Sequence, residues 1–352
     1  MKVKDLLTLI CVFSVIFVFS VLCWFAPKET YSKSERRALA EFPDASLESI
    51  ISGEFAEKFE TYAVDVFPLR DGWRSIKAYT RLYAFLQSDN NGIYKRDGYL
   101  SKIEYPENRA MQDYALSLFN KVYEKYLVDN KVYFSMIPDK NMFLSSLSMD
   151  YSAFFDYMSK GMPYSEPIDI MSLLSAEDYY FTDTHWRQER IFDVAKKIAY
   201  GMGTAIPDEY TVKDVDTPFF GVYAGQSALN VEPDNMKYLT NTVIEGYRVE
   251  GGEVYDMSKL SGNDPYEMYL SGNQPVVKII NEKVSKDKRL VVFRDSFGSS
   301  IGPLIAQGYY ETTFVDLRYI ASDYLESYVS FQGADVLFLY STLILNSSLG
   351  MK

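Results

Sequence analysis

The stretch Leu290–Gly298 reads LVVFRDSFG and decides the fold class of this chain. It opens with four consecutive apolar residues, a pattern typical of a strand that is buried on both faces of a parallel sheet. Ser296 follows at the point where the strand gives way to a helix. In open α/β sheets, this carboxyl edge is where functional sites form. The segment therefore predicts a strand–turn–helix unit within an α/β domain.

Three other apolar runs have the same character, and each ends at polar residues. They are residues 132–137, 312–317 and 336–340. Because helical stretches separate the runs, we predict a mainly parallel sheet with helices on both faces over residues 101–352. Residues 205–275 do not show this alternation of apolar runs and helical stretches. They are rich in Gly, Asn, Thr and Tyr, and we expect an irregular β-rich insertion there.

The N-terminus carries an uncharged apolar stretch, Leu6–Ala26, whose 21 residues are enough to cross a bilayer as a helix. Lys2 and Lys4 precede it, so the positive-inside tendency places the rest of the chain outside the cytoplasm. A cleaved signal peptide is the alternative, although its apolar region would be unusually long. We expect residues 1–26 to form a single-pass anchor, with secretion after signal cleavage as the alternative.

The segment after the apolar stretch is predicted to be a linker followed by helices. Residues 27–46 are polar, whereas residues 47–88 carry apolar side chains three or four positions apart, as one helix face requires. Asp65–Pro68 interrupts this pattern and predicts two helices rather than one. We expect residues 27–100 to pack on the α/β body, and a further amphipathic helix over residues 106–128.

Composition excludes several classes of function. The 352 residues include 48 acidic and 36 basic side chains, a net charge of −12 that argues against a nucleic-acid partner. Cys11 and Cys23 both lie in the apolar N-terminus, so the rest of the chain has no disulfide framework, zinc ribbon or cysteine nucleophile. A single histidine, His185, excludes a polyhistidine metal site. We expect neither a metal nor a cofactor.

Two constellations are candidates for catalysis. Asp183 stands two residues before His185, a spacing at which a carboxylate can orient an imidazole and stabilise its charged form. An ordinary hydrogen bond of a lone histidine is the simpler alternative. Ser296 is a candidate nucleophile, because the first turn of the following helix has unpaired N–H groups that can bind an oxyanion. The alternative is that Asp295 or Ser296 only caps that helix.

Four more residues are candidates for oxyanion or substrate binding. Asn273 offers an amide donor, although its Gly-Asn context favours a simple turn. Arg318 follows a predicted strand and either stabilises negative charge or forms a salt bridge with Asp316. Lys140 follows the 132–137 run and has the same two interpretations. Tyr319 is a candidate because aromatic rings stack on sugar faces, whereas most of the 30 tyrosines are expected to be packing residues.

The motifs Asp183-Thr-His-Trp186 and Asp295-Ser-Phe297 resemble those of the bacterial DHHW family. That family is related to the SGNH-hydrolase-like domains of the alginate O-acetylation proteins AlgX and AlgJ. The resemblance extends over further segments in the same order: Ser34–Leu39, Asp65–Arg70, Pro138–Lys140, Asp264–Tyr266, Ser271–Asn273, Asp316–Tyr319 and Val336–Tyr340.

The resemblance implies a flavodoxin-like SGNH fold and a triad in which Ser296 is the nucleophile, His185 the base and Asp183 the orienting group. Ordinary SGNH hydrolases have the serine first in the chain, so the order here is that of a circularly permuted relative. Two positions depart from the patterns. Arg294 stands where the SGNH Gly-Asp-Ser block has glycine, and Thr184 stands where the DHHW motif has a second histidine.

The implied function is acetyl transfer at the cell surface. We expect a membrane-anchored, extracytoplasmic O-acetyltransferase or acetylesterase that acts on a cell-surface or secreted polysaccharide. A membrane-bound acyltransferase is the expected acetyl donor. The alternative is a non-catalytic polysaccharide-binding or assembly protein on the same fold, which the long insertion and the many tyrosines would also suit.

Overall fold

The computed structural model describes residues 3–25, 28–145 and 147–352. Residues 1, 2 and 26 of the expected anchor, including Lys2, and residue 27 of the expected linker lie outside the described residues. The chain divides into two compact units.

The first unit contains the described residues up to 91 together with residues 224–230. Its elements are α1 (Val3–Phe25), β1 (Tyr31–Ser32), β2 (Arg37–Ala38), α2 (Leu47–Ser52), α3 (Glu54–Asp65), α4 (Arg70–Tyr79) and a π-helical turn (Thr80–Ala84). Among the described residues, α1 is the one helix long and apolar enough to cross a membrane, and a signal sequence has the same properties.

An ion-pair cluster holds the polar part of this unit together. The Arg37 guanidinium binds both carboxylate oxygens of Asp65, at 2.8 and 2.6 Å. This hydrogen bonding lowers the pKa of the Asp65 carboxyl to about 2. Arg70 and Arg74 of α4 both pair with Glu35. The basic face of α4 is therefore turned toward the segment that precedes α2.

The second unit contains residues 92–223 and 231–352. Its β-strands are β3 (Ile93–Arg96), β4 (Tyr99–Lys102), β5 (Val132–Ile137), β6 (Ser165–Pro167), β7 (Thr211–Phe219), β8 (Asp234–Thr240), β9 (Arg248–Glu250), β10 (Val276–Ile280), β11 (Arg289–Arg294), β12 (Glu311–Val315) and β13 (Ala334–Ser341). Its α-helices are α5 (Arg109–Val122), α6 (Asn141–Leu144), α7 (Tyr151–Gly161), α8 (Phe192–Gly201), α9 (Val222–Ser227, which continues past residue 223), α10 (Phe297–Ile305) and α11 (Thr342–Leu345).

Short helical turns connect these elements. Tyr123–Leu127 continues α5 as a π-helical turn. The 3₁₀ turns are Met171–Leu173, Ala176–Asp178, Gln188–Arg190, Ile244–Gly246, Met257–Ser261, Pro265–Met268, Ala306–Gly308, Ser322–Ser327 and Ser348–Gly350. Strands β7 and β8 form an antiparallel pair, so the region expected to be β-rich contains this pair, β9 and several turns.

A seven-stranded sheet forms the centre of the second unit, in the order β6-β5-β13-β11-β12-β10-β9. The five strands from β6 to β12 are parallel, and β10 is antiparallel to both of its neighbours. When β11, β12, β13, β5 and β6 are numbered 1 to 5, their order across the sheet is 2-1-3-4-5. This is the strand order of flavodoxin. The circular permutation implied by the motif order is thus visible in the strand order.

The central strands are buried on both faces, as continuous apolar runs require. Val291 and Phe293 pack into one core with residues of α5 and α7. Leu290 and Val292 point the other way and pack with residues of α8 and α10. Helices therefore cover both faces of the sheet. The predicted fold class, an SGNH-like α/β domain with an apolar N-terminal helix, is confirmed.

Candidate active site

Ser296 lies at the switch point of the sheet, where the strand order reverses between β11 and β13. It is separated from the end of β11 by Asp295 alone, it directly precedes the first residue of α10, and it is partly exposed. The buried carboxylate of Asp295 fixes this turn. It accepts hydrogen bonds from the N–H of Phe297 at 3.0 Å and from the N–H of Ser341, at the end of β13, at 2.7 Å. Asp295 thereby ties the serine turn to the neighbouring strand.

His185 lies in a loop that is closed by backbone pairing and placed beside Ser296. Tyr179 and Trp186 pair as an antiparallel bridge, and the Tyr180 N–H donates to the His185 carbonyl at 3.1 Å. The Trp186 indole N–H donates to Ser300 Oγ of α10 at 2.8 Å. Because the tryptophan is anchored on the helix that follows Ser296, the histidine beside it faces the serine.

The structure brings Ser296, His185 and Asp183 together in one hydrogen-bonded chain. His185 Nε2 lies 2.8 Å from Ser296 Oγ, and His185 Nδ1 lies 2.6 Å from Asp183 Oδ1. Asp183 is fully buried, whereas 7% of His185 is exposed. Asp183 Oδ2 also accepts the Val222 N–H at 2.8 Å. This is the geometry in which a carboxylate holds the imidazole tautomer that can remove the serine proton.

Tyr266 forms the wall of the site behind the histidine. Its ring stacks on the His185 ring with centroids 3.8 Å apart and planes 10° from parallel. The Tyr266 hydroxyl donates to Ser300 Oγ at 2.9 Å, which fixes the tyrosine ring. Sequence reasoning gave Tyr266 no role, although Asp264-Pro-Tyr266 is among the segments of the family resemblance. The stacking restricts rotation of the imidazole.

Lys140 lies beneath the aspartate loop rather than in the open site. It is buried, and its ammonium donates to the carbonyls of Tyr180 at 2.8 Å and Asp183 at 2.6 Å. Burial lowers the pKa of this ammonium to about 7. The position supports the backbone of Asp183 and offers a bound molecule no contact with the ammonium.

Asp234 binds the N–H groups of the same loop. Its carboxylate accepts the N–H of Phe181 and both the N–H and the hydroxyl of Thr182, at 2.6 to 2.8 Å. Burial raises the pKa of Asp234. Asp234 therefore accepts from N–H groups of the loop that leads to Asp183, and Lys140 donates to carbonyls of that loop. Asp234 carries no motif in the sequence that would have revealed this role.

Gly221 allows the chain to pass directly over the aspartate. A Cβ at this position would lie 2.4 Å from Asp183 Cα, which no side chain can tolerate. The close approach lets the next residue, Val222, donate its N–H to the Asp183 carboxylate. This glycine was one of many in the insertion, and nothing in its local sequence distinguishes it.

Asp139 joins two neighbouring strands close to the site. Its carboxylate accepts the hydroxyls of Tyr151 and of Thr342, just after β13, both at 2.8 Å. Burial raises the pKa of Asp139 to about 6 although these hydroxyls oppose the shift. The carboxyl ends of β5 and β13 are therefore held together by one buried acid.

The other expected binding residues point to different partners. Arg318 donates hydrogen bonds from Nε and Nη2 to the Asp316 carboxylate, at 2.9 and 2.6 Å. This pairing raises the pKa of the Arg318 guanidinium, although burial opposes the shift. Tyr319 is exposed, and the Arg318 guanidinium lies 5.6 Å from its ring centroid. The Asn273 amide donates to Glu267 at 2.8 Å on the surface. Arg318 and Asn273 thus bind acidic side chains outside the triad.

The backbone donors after Ser296 are already used in this arrangement. The Phe297 N–H donates to the Asp295 carboxylate, and the Gly298 N–H donates to the Asp295 carbonyl at 3.1 Å. The sequence predicts unpaired N–H groups at the start of the helix, whereas the N–H groups of Phe297 and Gly298 are both hydrogen-bonded. An oxyanion would have to displace one of these bonds or use another donor.

Arg294 is accommodated by a glycine elsewhere in the turn. Its buried guanidinium donates to Ser299 Oγ at 2.8 Å and to the Gly272 carbonyl at 3.2 Å. A Cβ at Gly298 would lie 2.6 Å from Arg294 Cβ. The backbone can therefore turn tightly here with arginine at position 294, because residue 298 has no side chain.

No group of three or more His, Cys, Asp or Glu side chains is placed to hold a metal ion within the described ranges 3–25, 28–145 and 147–352. The triad offers a hydroxyl, an imidazole and a carboxylate in one hydrogen-bonded chain. Such a set can transfer an acyl group through a covalent intermediate.

Two solved structures illustrate the likeness of this fold to known proteins. A DHHW family protein from Eubacterium siraeum is 20% identical, with a TM-score of 0.61, over 74% of this chain and 95% of that protein. Bacillus cereus PatB1, solved with a sulfonyl adduct, is 19% identical, with a TM-score of 0.57, over 72% of this chain and 95% of PatB1. No protein-family model and no curated protein sequence matches the chain.

Proposed function

We propose that this chain is a membrane-anchored, extracytoplasmic acetyl-transfer enzyme that acts on a cell-surface or secreted polysaccharide. The observation that carries the proposal is the chain of hydrogen bonds from Asp183 through His185 to Ser296, at 2.6 and 2.8 Å. Its position at the switch point of a flavodoxin-type sheet supports the assignment, because ligands of such sheets bind there. The sulfonyl adduct of PatB1 also fits, since sulfonyl reagents modify activated nucleophiles.

In the first half-reaction, Ser296 Oγ attacks the carbonyl carbon of an acetyl donor while His185 Nε2 takes the hydroxyl proton. Asp183 accepts the Nδ1–H and stabilises the imidazolium that forms. The tetrahedral intermediate collapses, the bond to the donor's heteroatom breaks, and His185 returns the proton to that leaving group. The acetyl group is then an ester of Ser296.

In the second half-reaction, a sugar hydroxyl attacks the Ser296 ester and His185 takes its proton. Collapse of the second intermediate releases the acetylated sugar, and the same proton returns to Ser296 Oγ. If water attacks instead, the product is acetate and the enzyme is an esterase. A membrane-bound acyltransferase as the donor of the acetyl group is part of this proposal.

The developing oxyanion needs a donor or a nearby positive charge. We assign this role to Arg318, which follows β12, the strand beside β11; its guanidinium is bound to Asp316 and would have to be shared between that carboxylate and the oxyanion. Tyr319 is exposed next to it and is assigned to sugar stacking. The side-chain amide of Asn273 is an alternative donor to the oxyanion, and it would first have to break its hydrogen bond to Glu267.

The test is the turnover of an aryl acetate and of an acetylated glycan by the full-length chain in detergent. Ser296→Ala and His185→Ala are expected to lose nearly all turnover, since each removes a group that acts in the covalent steps. Ser347→Ala alters an exposed serine of the same unit and should retain wild-type turnover. Wild-type rates in the Ser296 and His185 variants would refute the triad. Glycan binding without any turnover would instead favour a binding protein.

A further inference from the structure

The first unit presents an apolar surface along α4 and the turn that follows it. Leu69 at the N-cap of α4, Trp73 and Ile76 within it and Tyr83 in the turn are spaced by four, three and seven positions, a spacing that places them along one helix face. All four are exposed, Leu69 by 74% and Ile76 by 57%. We call these four residues the α4 surface. In water, such a continuous exposed apolar stripe is unfavourable, which indicates that something other than solvent covers it.

A basic stripe runs beside the α4 surface. Arg70, Arg74, Lys77 and Arg81 are also spaced by three or four positions, on an adjacent face of the same helix. Arg70 and Arg74 are paired with Glu35, whereas Lys77 is exposed and bonds the amide oxygen of Asn91. A helix with a Trp-containing apolar face next to basic residues is typical of segments that lie in the interface of a bilayer.

The apolar helix α1 touches the same region. The Phe19 ring stacks on Phe67, just before α4, with centroids 5.5 Å apart, and lies 5.8 Å from the Trp73 ring. Phe19 is four residues before Cys23, the end of the segment able to span a membrane. At 1.5 Å per residue, Phe19 would lie about 6 Å below the outer end of the span. Interfacial helices are buried by about 5–10 Å, which is the same depth.

From these contacts we propose that the α4 surface is inserted into the outer-leaflet interface of the membrane that α1 crosses. The occupant is the lipid bilayer itself, with the apolar stripe at the level of the acyl chains and the exposed ammonium of Lys77 at the level of the headgroups. The proposal rests on the anchor role of α1 in the proposed function. It goes beyond that role, because α1 alone would hold the chain on a membrane without any contact between α4 and lipid.

The experiment measures the bilayer depth of single spin labels on the full-length chain. Cys11 and Cys23 are replaced by alanine, and one cysteine is introduced by Ile76→Cys or, as a second position on the same face, Tyr83→Cys. Lys58→Cys is the matched control, since Lys58 is an exposed charged residue of the neighbouring helix α3, where it pairs with Glu54. Phe13→Cys reports on α1. Each labelled chain is placed in vesicles of phosphatidylcholine and phosphatidylglycerol, and its collisions with oxygen and with a water-soluble nickel complex are compared.

Labels at Ile76 and Tyr83 are expected to collide mainly with oxygen, as a label inside the bilayer does, and the Lys58 label mainly with nickel. If the Ile76 and Tyr83 labels behave like Lys58 while the Phe13 label is in the bilayer, the α4 proposal fails and the anchor stands. If the Phe13 label is outside the bilayer, the anchor and this proposal fail together. Labels shielded from both reagents would show that another protein copy covers the α4 surface, which also overturns the proposal.

Discussion

Lys140 is the residue whose structural position differs most from the role that its sequence context suggests. Polar residues that follow buried strands are normally exposed at the sheet edge, and Lys140 was therefore a candidate for substrate binding. It is instead buried, with its donors directed at the backbone just before the triad carboxylate. We expect it to act through Asp183 as a positioning residue.

Replacing Lys140 tests this role. Lys140→Met keeps the length and apolar stem of the side chain but leaves the carbonyls of Tyr180 and Asp183 without their donor. Because a displacement of about 1 Å in an active site can cost on the order of 100-fold in rate, we expect kcat to fall by that order with little change in KM. Steady-state kinetics on an aryl acetate measures both.

The matched control is Lys131→Met, which changes an exposed lysine just before the strand that ends before Lys140. We expect wild-type kinetics from it. A Lys140→Met protein that folds normally and keeps the wild-type kcat would show that the ammonium does not position Asp183. A raised KM with unchanged kcat would indicate that Lys140 takes part in substrate binding.

At the scale of elements, the segment before α9 depends on the absence of a side chain at Gly221. Gly221→Ala would place a methyl group 2.4 Å from Asp183 Cα, so the segment and the aspartate loop must separate. The Val222 N–H would then lose the Asp183 carboxylate, and we expect kcat to fall by about tenfold or more. Gly246→Ala is the control, because the nearest atom to its Cβ is 3.9 Å away. Equal activity of the two variants would contradict this account.

The contact between β5 and the end of β13 is expected to depend on pH through Asp139. Burial raises its pKa from 3.8 to about 6, so between these values the folded chain binds a proton that the unfolded chain has released. The free energy of unfolding contributed by Asp139 therefore falls as pH rises from 4 to 6, by on the order of 3 kcal/mol.

Urea unfolding at several pH values checks this sign. Asp139→Asn cannot titrate, so the stability of the wild type relative to this variant should decrease between pH 4 and 6 and then stay constant. Asp156→Asn, which changes an exposed acid of α7, is the control variant. A wild-type advantage that grows with pH through this window would mean that the folded-state pKa is lowered, contrary to the effect of burial.

At the scale of the whole molecule, the sheet could be predicted because a strand covered on both faces must be apolar at nearly every position. The run Leu290–Phe293 has that property and lies within β11. The wall of the site could not be predicted in the same way. Tyr266 comes from a region without periodicity, and its contact with His185 joins distant parts of the chain.

The triad itself was predicted from the family resemblance rather than from local pattern. Local sequence left open whether Ser296 is a nucleophile or part of a cap, and whether His185 is an ordinary buried histidine. Nothing in the spacing of Asp183 and Ser296 specifies that they meet, because the meeting depends on the strand order around β11. That order is a property of the complete sheet, in which β13 lies beside β11 although β12 separates them in sequence, and β5, which precedes both in sequence, lies beyond β13.

The central claim is that Ser296 carries the acetyl group during transfer. The most direct measurement incubates the full-length chain with an aryl acetate, stops the reaction with acid, and locates bound acetyl groups by mass spectrometry of the peptides. The account predicts one acetyl group on the peptide that contains Ser296, and none on that peptide in Ser296→Ala. Turnover that continues in Ser296→Ala, or an acetyl group found on another residue of the active wild type, would contradict it.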